Sequence, residues 1–590
     1  MATFAEEDYT IERPLVASTG LRQGLTSYGD VHFSLFLRKV FIKALGYSED
    51  ALSRPIIGII NTYSSFNPCH AKMPQLNETA NRGVQLNGGL AIDFPTISIH
   101  ESFSYPTSMF LRNLMSMDTE EMIKAQPVNA CIMIGGGLSA NKTILLLVTG
   151  PMMAGSYKGK RIGACTDCRN NWTAFRAGSL DVEDIASLNE ELAPTAGIYG
   201  VMGTASTMAC ITAALGLMPL RGASAPAVLS ARLRIVEETG ANAVAAAGVK
   251  RSSQSILTKE SFYNAITVLQ AIGGSTNAVV HLMAIVNRHP DLCGSGDITL
   301  QTFDDIGRKV PLLIDLKPSG DNYMTDFHNA GGMLALLHTL RPLLRLSAMA
   351  ISGVTLGEVL DKTPFRTFPY SQDIIRPLSN PLYPASSLVV LKGNLAPEGA
   401  IITASASKDR RLLCHTGPAV VFKNSADLAL RIDDPDLNVT QDSVLVLQAI
   451  GPIGNPGMPE AGMIPLPRKL AAAGVTDMLR ISDGRMSGTA GGRIVLHVSS
   501  EAILPTSALG IVRDGDIITC DAEKRVLHLN LGQQEIDERL AERALSSEQS
   551  ARTDDIQTKR GYTGLYQRSV NQAQEGADFD FLTAAGPKRR

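Results

Sequence analysis

Long apolar runs are missing from this 590-residue sequence. The longest, residues 144–148 with their neighbours, is strand-sized and far short of a membrane span, which excludes a chain threaded through a bilayer by helices. Excess charge of either sign is missing too: 54 Lys and Arg against 57 Asp and Glu leave a formal charge of -3. That balance supplies no basic field for nucleic acid and no polybasic patch for a membrane surface. Cysteine is sparse, with eight residues scattered at 69, 131, 165, 168, 210, 293, 414 and 520, so no disulfide framework is implied. Internal repeats and low-complexity tracts are absent. The acidic first eight residues carry neither the apolar core of a signal peptide nor the Arg-rich, acid-poor character of a transit peptide, so the cytoplasm is the expected compartment.

What is present describes a well-buried globular chain, 44% hydrophobic and 19% charged, long enough for two to four domains. Between about 55 and 345 strand-like and helix-like runs alternate. Strands are predicted at 55–60, 95–99, 131–134 and 144–149, and helices at 74–86, 108–124, 204–217 and 225–239. This rhythm predicts an α/β domain with a mostly parallel sheet. From about 385 short strands separated by turns take over, at 387–391, 400–403, 419–422, 443–448, 494–498, 510–512 and 525–531, with a helix at 534–545. That pattern predicts a C-terminal β-barrel-like domain. The division falls at 1–372 and 373–590, with the Pro/Ser-rich stretch 364–386 as the link. The polar tail, 549–590, needs a partner surface to be ordered.

Several loops hold residues that carry chemistry. The segment 482–489, Ser-Asp-Gly-Arg-Met-Ser-Gly-Thr, lies between two apolar runs. Its small residues let a substrate approach the backbone and leave the Ser487 hydroxyl unshielded, as a nucleophile or base requires; a plain Gly-rich turn is the competing reading. His100-Glu101-Ser102 ends a predicted strand, where ligand sites of open α/β sheets gather. Glu101 there is a cation ligand or a solvated loop carboxylate. Asn67-Pro68-Cys69-His70 follows another strand, and Cys69 alone reads as a buried thiol. Residues 200–208 open a helix with small side chains suited to an anion, and Glu460 follows the rigid turn Gly454-Asn-Pro-Gly457-Met-Pro. Cys165-Thr-Asp-Cys168 is a lone CxxC, read as ordinary buried thiols rather than as a zinc or redox site.

Taken together, these motifs resemble the dihydroxy-acid/phosphogluconate dehydratase (IlvD/Edd) family over nearly the whole chain. The His-Glu form at 100–101 is more similar to the sugar-acid dehydratases than to the branched-chain enzyme. The resemblance implies a hydro-lyase that converts a 2,3-dihydroxy acid to a 2-keto acid. It implies a magnesium ion on the substrate carboxylate and 2-hydroxyl, and a [2Fe-2S] cluster acting as Lewis acid on the leaving 3-hydroxyl. On that resemblance Ser487 is the base, Glu101 and Glu460 are magnesium ligands, Cys69 is one cluster cysteine, and Ser482, Arg485 and Thr489 line the substrate. It also implies a homodimer or higher homo-oligomer and a small-molecule partner.

The chain departs from the family pattern in two places. The family's Gly-Gly-Cys-Asp-Lys-Thr segment is not found after Gly135-Gly136, where the chain reads Gly137-Leu-Ser-Ala-Asn-Lys-Thr143. The alignment with a deletion of Cys, Asp and Lys together is preferred to one that makes Lys142 the family's metal-binding lysine. At the third cysteine position stands Tyr199. Three readings stay open: a working dehydratase with altered metal chemistry, a silent homologue serving as a binding or scaffold subunit, and a deletion introduced in gene prediction.

Overall fold

A computed structural model describes residues 20–25, 28–96, 98–134, 142–363, 372–407, 413–489 and 491–586. The first domain is built on four parallel strands, β1 (Ile56–Asn61), β2 (Leu90–Pro95), β3 (Ala130–Ile134) and β4 (Thr143–Leu147), in the order β2-β1-β3-β4. β1 and β4 read as unbroken apolar runs because helices cover the sheet. Helix Met73–Leu86 crosses from β1 to β2, and helix Ser108–Ala125 from β2 to β3. A small antiparallel hairpin, β5 (Gly155–Tyr157) and β6 (Lys160–Ile162), follows.

Between β3 and β4, which pair in parallel with Ala130 opposite Thr143, only the eight residues 135–142 connect. A parallel crossover ordinarily needs a dozen or more. The short link agrees with the deletion read from the sequence; residues 135–141 themselves lie outside the described residues. Lys142 donates to the Val128 carbonyl at 3.4 Å. Val128 precedes β3, so this lysine sits at the N-terminal edge of the sheet, opposite the edge where the chemistry-bearing loops gather.

The second domain is a closed eight-stranded barrel. Its strands are β7 (Leu388–Gly393), β8 (Ala396–Thr403), β9 (Cys414–Phe422), β10 (Val444–Leu447), β11 (Arg480–Ser482), β12 (Ile494–Ser499), β13 (Ile517–Asp521) and β14 (Val526–Leu529). They close in the order β10-β11-β12-β8-β7-β14-β13-β9, mixing parallel and antiparallel pairs. Val389, Ile402, Val446, Ile481, Val495 and Leu527 belong to its packed core.

Two predicted strands are corrected. The strand predicted at 95–99 lies earlier: β2 runs Leu90–Pro95, and its last ladder bond is Thr96 N to the carbonyl of Asn61, the last residue of β1. Residues 510–512 fall at a single 3-10 turn, Leu509–Ile511, while the strand nearby is β13, hidden by its alternating polar residues. The predicted helix at 225–239 starts later and runs Ser230–Gly248.

The tail finds its partner surface within the chain. Helices Ser547–Thr558 and Gly561–Ser569 lead to Phe579. The Tyr566 and Phe579 rings are fully buried, with Tyr566 5.0 Å from Phe110 between centroids. Burying each such ring contributes roughly 1.5–3 kcal/mol. Asn113 donates to the Ala577 carbonyl at 3.0 Å, and Arg288 pairs with Asp578 at 2.5 Å. Gln567 reaches the Ile453 carbonyl at 2.8 Å, so the tail ties the first domain to the loop that carries Glu460.

Candidate active site

Three loops from the C-terminal edge of the parallel sheet meet a loop pair from the barrel. Asn67–His70 follows β1 and residues 96–101 follow β2; Gly197 then donates to the Pro68 carbonyl at 3.3 Å, which brings Tyr199 beside Cys69. From the barrel come 482–489, after β11, and 451–460, after β10. Gly457 has φ +88° and would drive a Cβ to 2.4 Å from the Phe110 nitrogen. Only glycine lets this turn lie against helix Ser108–Ala125 and carry Glu460 across to the first domain.

Glu101 stands at the N-terminus of that helix. Its carboxylate accepts from Thr107 Oγ1 at 2.5 Å and from the Ser108 nitrogen at 3.0 Å, and the Ser108 hydroxyl donates as well. Arg485 completes the shell, with Nη2 donating to Glu101 Oε1 at 3.0 Å and Nη1 to Glu460 Oε1 at 2.7 Å. Burial pushes the Glu101 carboxyl upward, but Arg485 and the two hydroxyls win and hold it at about 2. One helical turn beyond Ser108, Arg112 is solvent-exposed yet lies within electrostatic reach of Glu101, Glu460, Cys69 and Arg485. It makes no hydrogen bond to another described residue. Its signal in the sequence, one Arg within an ordinary helix, was too weak to single out.

Ser487 is buried, 7% exposed, which corrects the expectation of an unshielded hydroxyl. Gly488 shows why: a Cβ there would meet Ser275 at 2.5 Å, so its small size serves close packing. Thr489 Oγ1 donates to Ser487 Oγ at 3.2 Å. Ser482 lies behind the site, its hydroxyl donating to the Leu447 carbonyl at 2.9 Å and accepting from Gly484 N at 3.0 Å. Asp483 likewise holds backbone, accepting from Ile450 N and Ala502 N. Behind Arg485 lie His281 and His497, both driven down to about 3 by burial and then by nearby arginines. Among the described residues, neither ring nitrogen of His497 nor Arg485 Nε has a hydrogen-bond partner.

Tyr199 OH lies 3.4 Å from His100 Nε2, and burial, followed by the nearby Cys165 and Cys69, raises its phenol. Burial also raises the Cys69 thiol to about 11. The structure thus joins Glu101 and Glu460 through Arg485, sets Ser487 against Thr489, brings Tyr199 within electrostatic reach of Cys69 and Glu460, and leaves Ser482 as a backbone anchor.

The [2Fe-2S] cluster and magnesium ion do not fit this donor set. Among the described residues no three His, Cys, Asp or Glu side chains are placed to hold a metal. Burial disfavours a Cys69 thiolate, and Arg485 already bonds to both carboxylates. The undescribed segment 135–141 contains no Cys, His, Asp or Glu.

The parallel-sheet domain and the closed barrel, bridged by Arg485 between Glu101 and Glu460, are the setting of the candidate site. Residues 54–359 match the N-terminal domain, and 373–577 the C-terminal domain, of the dihydroxy-acid/6-phosphogluconate dehydratases; the chain belongs to this family. It is 39% identical to the L-arabonate dehydratase of Azospirillum brasilense over 562 residues, covering 93% of this chain and 94% of that protein. It is 37% identical to the 6-deoxy-6-sulfo-D-gluconate dehydratase of Pseudomonas putida (91% and 92% covered) and 32% identical to the dihydroxy-acid dehydratase of Methanococcus maripaludis strain C7 (91% and 97%). No helix of the described residues is long and apolar enough to cross a membrane.

Proposed function

We propose that this chain is a hydro-lyase that dehydrates a 2,3-dihydroxy carboxylic acid, of the sugar-acid class before the branched-chain class, to a 2-keto acid. The observation that carries the reading is Arg485, bonded to Glu101 and Glu460 and standing two residues before Ser487. A guanidinium that bridges two carboxylates thus lies on the same loop as the candidate base, in a chain whose relatives are named dehydratases. Those names lend no support to the reading of a silent scaffold subunit.

In this reading the Ser487 hydroxyl gives up its proton to water, and the resulting alkoxide takes the C2 proton. Thr489, donating to Ser487 Oγ, stabilises the oxygen in its deprotonated form. Arg112 binds the substrate carboxylate, and with Arg485 it offsets the charge that grows on the substrate as C2 loses its proton. The departing 3-hydroxyl needs a proton, and Tyr199, kept protonated by burial and oriented by His100, supplies it. The enol then tautomerises to the 2-keto acid. No step passes through a cluster or magnesium.

Residues 1–372 and 373–590 are the proposed domains, and the cytoplasm the proposed compartment. A homodimer or higher homo-oligomer is supported by helix Val31–Lys43, on which Phe33, Phe36 and Phe41 remain exposed. The test is 2-keto acid formation from a panel of sugar acids and branched-chain 2,3-dihydroxy acids. Failure with every member of the panel, by folded protein, overturns the reading.

A further inference from the structure

The dehydratase reading leaves one chemistry-bearing motif unused. Cys165 is the N-cap of helix Thr166–Arg176, and Cys168 lies in its first turn. The two residues between them are pinned. Thr166 Oγ1 donates to the Thr489 carbonyl at 2.7 Å. Asp167 accepts from Gly163 N at 2.8 Å, Lys317 Nζ at 2.7 Å and Tyr323 OH at 2.8 Å. The motif is therefore held rigidly against the 482–489 loop.

Both thiols are half-buried, in contrast to the buried Cys131, Cys210 and Cys520. The side chains of Cys165 and Cys168 interact with each other, and that of Cys165 also with the Thr489 hydroxyl. Thr489 in turn donates to Ser487. A CxxC at a helix N-terminus, with Arg169 next along the chain, is the environment that favours a thiolate at the first cysteine. The interaction with Cys168 lowers Cys165 against the effect of burial, while the same interaction and burial together raise Cys168.

We propose that Cys165 and Cys168 form a redox-active dithiol, which a low-molecular-weight disulfide of the glutathione class oxidises to an intramolecular disulfide. The Cys165 thiolate attacks one sulfur of the small disulfide, whose S–S bond breaks to release one thiolate and leave a mixed disulfide. Cys168, giving up its proton, then attacks the Cys165 sulfur, and the second small thiolate departs. Two protein thiols lose two electrons; one small disulfide gains them and leaves as two thiols carrying both protons. The new bond removes the thiol that Thr489 meets, one hydroxyl away from Ser487. Any effect on turnover rests on the dehydratase reading, whereas the thiol count does not, so the two fail separately.

The experiment incubates the full chain with oxidised and reduced glutathione at a series of ratios, alkylates the free thiols, and maps them by peptide mass. The expected result is paired loss of the Cys165 and Cys168 thiols before Cys414 or Cys293 reacts. In Cys168→Ser, glutathione should remain on Cys165; in Cys165→Ser, Cys168 should stay free. Circular dichroism checks that the variants fold, and where one does not, the wild-type map alone decides. Cys165 and Cys168 both remaining alkylatable after Cys414 has been consumed overturns the proposal, as does a Cys168→Ser protein that traps no glutathione.

Discussion

Arg485 donates to Glu101 at 3.0 Å across 384 residues of sequence, and the same guanidinium reaches Glu460. One side chain of the barrel thus satisfies a carboxylate of the α/β domain, and the site exists only when the two domains are together.

Removing that cation should unsettle the interface. Arg485→Met leaves two carboxylates facing each other with Arg112, which bonds to neither, as the remaining counter-charge. Breaking a buried pair costs about 3–5 kcal/mol, and the quarter-exposed Glu101 reduces the expected loss to about 2 kcal/mol. Denaturant unfolding measures it, and an unchanged midpoint would contradict the assignment.

Ser487→Ala should remove turnover while leaving the fold in place. The substitution deletes one hydroxyl that Thr489 alone approaches, so the melting temperature should move by only a few degrees. A drop in kcat of roughly a thousandfold or more is expected for loss of the base. Retained turnover strips Ser487 of that role.

Stability should depend on pH through the carboxyls behind the site. Burial, with Asp483 beside it, raises Glu501 to about 7; burial raises Asp483 to about 6. Groups raised in the folded state stabilise it below their unfolded values and lose that contribution as pH climbs through their folded ones. Unfolding free energy should therefore fall between about pH 4.5 and 7, by roughly 3 kcal/mol from Glu501. Glu501→Gln should flatten this slope, since an amide cannot titrate. A slope unaltered by the substitution places the dependence elsewhere.

Magnesium should not stabilise the protein. With Glu101 and Glu460 already held by Arg485, a saturating divalent cation has no free pair of carboxylates. A filled site would add about 2.7 kcal/mol at a hundredfold excess over its Kd. Thermal melts with millimolar magnesium and after chelation should coincide, and a rise of several degrees with the metal would reverse the fit test.

Much of the fold could be read from the chain because its signals are local. Apolar runs of strand length, Pro74 at the start of helix Met73–Leu86, and turn residues between short barrel strands each act over a few residues. The mistakes arose where local pattern and pairing disagreed. Residues 95–99 are β-rich in composition, but the register that joins Leu90 to Ile56 brings the strand to its end at Pro95. β13 looks polar because its barrel face and its outer face alternate.

By itself the sequence determined the ancestry and the two-domain plan, and offered the candidate base Ser487 and the departure from the family's Cys-Asp-Lys pattern, since each is written in contiguous residues. Only the tertiary structure decided that Arg485 bonds to both Glu101 and Glu460, that Arg112 lies within electrostatic reach of them, and that a CxxC read as ordinary thiols lies against Thr489. The physical reason is that charge pairing and hydrogen bonding act through distances of a few ångströms, which chain separation does not encode.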